Sequence, residues 1–249
     1  MNHRAILVAL EIVAVAALLA CAGCATPRGI PRADSEVIPP SEVLDFNLLY
    51  GQNCAGCHGA DGKGGAAIAL ANPVFLAIAD DKVIRHTASN GVPSTPMPAF
   101  AQSAGGMLTE KQIDAIVNGI RSWAKPDALG NQTPPPYTAQ ALGDPQLGAD
   151  AYRAYCSSCH GANGRGGPKA SSIVDGSYLA LVSDQQLRTI VIAGRPELGS
   201  PDWRNDVAGR PMSAQEVSDV VAWLSSQRPN FPGQPYPIAS TKPANGGSR

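Results

Sequence analysis

Charge of one sign, aromatic rings and histidine are all in short supply in this chain. Its 19 Lys and Arg against 20 Asp and Glu leave a formal net charge of −1. A chain so nearly neutral lacks the basic surface that nucleic acid requires, and it selects no charged protein partner. Aromatics make up 5% of residues while Gly (26) and Pro (22) are abundant, a composition of short helices joined by long, turn-rich loops. A bilayer-spanning run is missing as well. The longest apolar stretch, Ala5–Ala20, is short for a span and contains Glu11.

What that stretch does resemble is a secretory leader, because the basic Met1-Asn2-His3-Arg4 precedes it. Leu18-Leu19-Ala20-Cys21 resembles a bacterial lipobox, in which the cysteine becomes the lipidated first residue. Cys24, after Ala22-Gly23, is the competing site. The expected layout is a leader and lipobox over 1–24 and a Pro-rich tether over 25–40. The mature protein is then lipid-anchored at the periplasmic face of a bacterial membrane. The remaining length suits two modules of roughly 85–100 residues. Modules that small bury a thin core and gain from a large apolar cofactor.

The other four cysteines fall into two copies of one motif, Cys54-Ala55-Gly56-Cys57-His58 and Cys156-Ser157-Ser158-Cys159-His160. Cys-x-x-Cys-His is the c-type haem attachment signature. The two thiols add across the haem vinyl groups, and the adjacent His is carried beneath the iron as the proximal ligand. A lone copy would also read as a redox dithiol or half of a zinc site. Two copies in an exported chain, with no further Cys or His at zinc spacing, leave little room for either.

The motifs lie inside a longer duplication. Tyr50 and Tyr152 precede them, and the Gly59–Gly65 run is matched by Gly161–Gly167, all at an offset of 102. Arg85 matches Arg188, Gly91 matches Gly194 and Pro98 matches Pro201 at 103; Ile113 and Ile116 match Val217 and Val220 at 104. Each copy predicts a short helix running into the haem motif and a middle helix around Asp80–Asn90 or Ser183–Ala193. A closing helix follows, started by a capping box at Thr109/Gln112 or Ser213/Glu216. The modules cover 41–125 and 144–228, joined by a Pro-rich linker over 126–143 and followed by a flexible tail over 229–249. With helix, haem motif, loop and capped amphipathic helix in this order, each module resembles class I cytochrome c. The resemblance implies an all-α fold of two tandem class I cytochrome c domains, each around one covalent haem c, serving one-electron transfer.

The family places a Met thioether opposite the histidine. Met97, within Pro96-Met97-Pro98 and ahead of the last helix, matches that position. In register with it the second module has Ser200, a poor haem ligand. Met212 is the one thioether in that module and is assigned to its iron, but its own register partner is Leu108. Met212 therefore also reads as a hydrophobic staple before the helix, and an iron with no protein sixth ligand is the third reading. His86 is expected at the surface or at the edge of the core. Trp203 lies against the second haem or in the core, and Arg85 and Arg188 serve haem propionates or are solvated helix charges. The function expected is that of an electron carrier handing electrons between redox proteins or membrane complexes of a respiratory or photosynthetic chain, not an enzyme. The alternative is catalysis or ligand binding at an open second haem, for which Asp202 and Arg204 are the nearest acid–base candidates.

Overall fold

The computed structural model describes residues 38–205 and 208–229. The leader, Cys21 and Cys24, the tether up to residue 37 and the tail beyond 229 lie outside the described residues. The described residues from Val43 onward form one compact unit. Among the described residues it contains helices and no strand, and none of the helices is long and apolar enough to cross a membrane.

The first repeat contributes α1 (Phe46–Asn53), α2 (Ala55–His58), α3 (Pro73–Ile78), α4 (Asp81–Asn90) and α5 (Glu110–Arg121). The second returns the same order as α6 (Pro145–Tyr155), α7 (Ser157–His160), α8 (Gly176–Leu181), α9 (Asp184–Ala193) and α10 (Ala214–Ser226). Local chemistry sets the starts. Asp45 caps α1 by accepting the Leu48 N–H at 2.7 Å, and Asp80 and Ser183 cap the middle helices. Both expected capping boxes are closed, so a side chain and a backbone N–H satisfy one another at the start of α5 and of α10. The six-residue α3 and α8 were not expected from periodicity; they start at the caps Asn72 and Asp175.

In each module the first helix packs on the last, α1 on α5 and α6 on α10. The contact is filled differently in the two copies. At Gly119 of α5 a Cβ would meet the Phe46 ring at 2.0 Å, so a glycine is needed where α1 presses its phenyl group. In the second copy Phe46 is replaced in register by Gly148, and Gly119 by Trp223. A Cβ on Gly148 would meet the Asp219 carbonyl at 2.0 Å and the Trp223 Cβ at 2.8 Å. Each copy thus pairs one ring with one glycine, with the ring on opposite helices. Both arrangements place an indole beside the repeat tyrosine. Trp123 meets Tyr50 edge-on at 5.1 Å, and Trp223, one helical turn earlier in register, stacks on Tyr152 at 4.3 Å.

The modules meet where α3 packs on α9. Asn72 is buried there and serves both sides. Its Oδ1 accepts the N–H groups of Val74 and Phe75 at 2.8 and 3.1 Å, and its Nδ2 donates to the Ala193 carbonyl at 2.9 Å. Arg195, just past α9, donates from Nη2 to the Gly65 carbonyl at 2.8 Å. The linker runs along the second module. Arg188, 3% exposed, donates to the carbonyls of Pro136 and Tyr137 and to Ser218 Oγ. Burial lowers its pKa from the usual arginine range. Neither expected role for Arg188 describes what it touches: it is a buried clamp on the linker. Its repeat partner Arg85 instead pairs with Glu110 and Asp114 on α5.

Candidate haem-binding sites

Each Cys-x-x-Cys-His motif straddles a break between two helices. α1 ends at Asn53, Cys54 caps the next single turn, and Cys57 and His58 ride on that turn; Cys156, Cys159 and His160 repeat this on α6 and α7. The repeat tyrosines hold the turn from beneath. The Tyr50 hydroxyl donates to the Gly59 carbonyl at 2.9 Å, and Tyr152 does the same to Gly161. The chain then folds back at glycines with positive φ, among them Gly59 at 85° and Gly161 at 77°. Gly65 passes so close that a Cβ would meet the Cys57 carbonyl at 2.1 Å.

That return loop orients the histidines. His58 Nδ1 lies 2.8 Å from the Ile68 carbonyl oxygen, and His160 Nδ1 lies 2.9 Å from that of Ser171. A carbonyl oxygen carries no proton, so Nδ1 must donate. In the neutral ring Nε2 then keeps its lone pair for a metal. For His58, which is buried, loss of hydration lowers the pKa and favours the neutral ring. The Ile68 carbonyl opposes that shift, and the charge of Arg195 adds to it.

The thiols speak against redox-dithiol chemistry. Burial pushes Cys54 and Cys156 up to about 11, with the companion cysteine adding to the shift in each motif. Reactive dithiols work the other way, by holding one thiolate at neutral pH. Among the described residues no group of three or more His, Cys, Asp and Glu is placed to hold a bare metal ion. Two uncommitted thiols beside one oriented imidazole are the donor set that covalent haem c requires, and each module presents it.

Met97 stands on the loop after α4. Its carbonyl accepts the Val92 N–H at 3.0 Å, and its own N–H lies 3.3 Å from Thr95 Oγ1. In the second module Arg195 N–H donates to the Ser200 carbonyl, also at 3.0 Å, so Ser200 holds the backbone place of Met97. Met212 is 6% exposed and Leu108 is 7% exposed, and both are core residues immediately before a capping box. Trp203, at 2% exposure, belongs to the core. Asp202 accepts both Nε and Nη2 of Arg204, which commits this acid–base pair to itself. His86 is at the surface beside Asn90, as expected. Met107, unremarked in the sequence, is 83% exposed. The junction residues Asn72 and Arg195 were also missed, because their partners lie in the other repeat.

Two helical modules in tandem, each built on the same Cys-x-x-Cys-His turn, define a double cytochrome c fold. The chain belongs to the family of cytochrome c oxidase, cbb3-type, subunit III, which matches residues 42–118 and 143–224, and membership implies covalent haem c. The cytochrome bc1 complex cytochrome c subunit of Mycobacterium tuberculosis (strain ATCC 25618 / H37Rv) is 25% identical over 181 residues, covering 71% of this chain and 60% of that protein. The cbb3-type cytochrome c oxidase subunit CcoP of Azospirillum sp. (strain B510) is 33% identical over 161 residues, covering 58% and 49%. The chain therefore spans about half to three-fifths of the length of these relatives. Among solved structures, a chain of the Kuenenia stuttgartiensis reducing HAO-like protein complex is 21% identical with a TM-score of 0.41, covering 78% of this chain and 100% of that one.

Proposed function

We propose that this chain is an exported di-haem c-type cytochrome, tethered by a lipid on Cys21 or Cys24. In this reading it passes single electrons between redox partners in a bacterial respiratory or photosynthetic chain. Cys54 and Cys57 bind one haem and Cys156 and Cys159 the other, with His58 and His160 as proximal ligands and Met97 as the sixth ligand of the first. The observation that carries the reading is the paired Nδ1 contact, which gives both histidines one tautomer with Nε2 ready to ligate. Bound haem supplies the one-electron couple. The protein's share is to fix the imidazoles, exclude water and hold the two modules in one arrangement through Asn72 and Arg195. The relatives named for bc1 and cbb3 complexes support a place beside such a complex, as a carrier and not an enzyme.

Intact mass and a pyridine haemochrome assay on the full-length protein test this. Two covalent haems per chain are expected, with acyl mass on an N-terminal peptide beginning at Cys21 or Cys24. A single haem would overturn the two-site reading; an N-terminus free of acyl chains would overturn the tether.

A further inference from the structure

The second module departs from the first at one chemically decisive position, and backbone hydrogen bonds fix the comparison from both sides. Upstream, Gly91 and Gly194 cap the middle helices at the same φ of 67°. The Val92 N–H then reaches the Met97 carbonyl, as the Arg195 N–H reaches that of Ser200. A Cβ on Gly91 would press on the peptide bond joining Pro98 to Ala99; one on Gly194 would press on the bond joining Pro201 to Asp202. Downstream, the Leu108 N–H donates to the Phe100 carbonyl at 2.8 Å and the Met212 N–H to the Trp203 carbonyl at 2.9 Å. Met97 therefore aligns with Ser200, and Leu108 with Met212, in space as well as in sequence.

Met212 is thus pinned by its backbone where the first module keeps an ordinary core leucine. Withdrawing its side chain toward an iron would empty a Met-sized site in the core, which close-packed interiors resist. Among the described residues no other strong ligand takes its place. The chain's four histidines are His3, His58, His86 and His160. Lys169 is exposed two residues before Ser171, whose carbonyl holds the His160 ring, which puts it on the proximal side. Serine hydroxyls bind haem iron weakly. The charged residues described between Gly194 and Asn205 cancel in pairs, Arg195 with Glu197 and Arg204 with Asp202. Among these described residues there is no uncommitted cation to hold an anion and no uncommitted base to take a proton.

Resting on the haem assignment above, we propose that the second module leaves the position opposite His160 open. It would then take a small neutral diatomic ligand of the carbon monoxide class, while Met97 closes the first module. Met212 is a core staple and the residue at 200 is the determinant.

The experiment adds carbon monoxide to the reduced, full-length holoprotein after its haem has been counted. Two haems, one of which shifts with carbon monoxide, is the expected result. One haem in total refutes the haem assignment itself; two haems with neither or both responding refutes the open site alone. Ser200→Met should lower carbon monoxide binding at the second haem at least tenfold. It should also double the near-infrared thioether-to-iron band of the oxidised protein. Met212→Leu should change neither signal. Loss of half the thioether band in Met212→Leu, with new carbon monoxide binding, would show that Met212 is the ligand and overturn the proposal.

Discussion

Replacing Asn72 with alanine removes three good hydrogen bonds at once, and the structure divides the cost. The side chain is 5% exposed. Its Oδ1 caps α3 through Val74 and Phe75, and an N-cap is worth about 1 kcal/mol. Its Nδ2 satisfies the Ala193 carbonyl, one of the acceptors at the end of α9 with no partner further along the helix. Leaving a buried acceptor bare costs about 1–3 kcal/mol. Asn72→Ala should therefore cost about 3 kcal/mol, which for a protein of this size lowers the thermal midpoint by roughly 6–12 °C. Asn72→Ser keeps an oxygen for the cap but cannot reach α9, so it should lose about 2 kcal/mol of those 3. Asn72→Asp keeps the cap and turns a carboxylate toward the Ala193 carbonyl, and at neutral pH it should fall below Asn72→Ala. Urea and thermal melts of the four holoproteins measure the series. A cost below about 1 kcal/mol for Asn72→Ala, or equal costs for Asn72→Ala and Asn72→Ser, would refute this division of roles.

Met97→Leu should keep the fold and lower the midpoint potential of the first haem, because the thioether favours ferrous iron; potentiometry that finds both couples unmoved would remove Met97 from the ligand set. Arg188→Met should destabilise the protein by about 2–4 kcal/mol in urea melts, since it bares the buried carbonyls of Pro136 and Tyr137, and Arg188→Lys should not restore it because a single ammonium cannot reproduce the fork. The Glu216 carboxyl is held down to about 2, mainly by Arg210 and further by the Ser213 backbone. A depressed folded pKa adds stability that is present above the ordinary glutamate pKa and is lost as pH falls toward 2. Glu216→Gln should therefore lose stability at neutral pH and flatten the acid side of the stability profile between about pH 5 and 2. Parallel profiles for the two proteins would contradict the ion pair.

Local signals in the sequence carried most of the fold. The duplicated motif is contiguous, and Thr109/Gln112 and Ser213/Glu216 are boxes whose partners lie three residues apart, so α5 and α10 were legible along with the middle helices. The two Cys-x-x-Cys-His turns were legible for the same reason. The structure adds the carbonyls of Ile68 and Ser171 that set the ring tautomer, and a backbone oxygen leaves no mark on residue identity. Asn72 reaches across 121 residues to Ala193, and nothing beside it distinguishes it from a plain helix cap. Arg188 read as a charge on an amphipathic helix because its partners belong to a proline-rich stretch that looked like a loose connection. For Met212 the register with Leu108 was visible in the sequence. What the sequence lacked was the Trp203 carbonyl that pins its backbone.

The exchange of Phe46 and Gly119 for Gly148 and Trp223 bears on how a duplicated chain folds without confusing its halves. Two similar modules on one polypeptide invite each first helix to dock on the wrong last helix while both are still forming. Here that error is penalised in either direction. Placing α1 on α10 drives a phenyl ring into an indole, and overpacking of this kind costs about 1–3 kcal/mol. Placing α6 on α5 sets glycine against glycine and leaves a void where a ring belongs. The correct partners are thus told apart by shape alone, before any haem is attached, and a chimera that exchanges only α1 for α6 should fold worse than one that exchanges both helices of the pair.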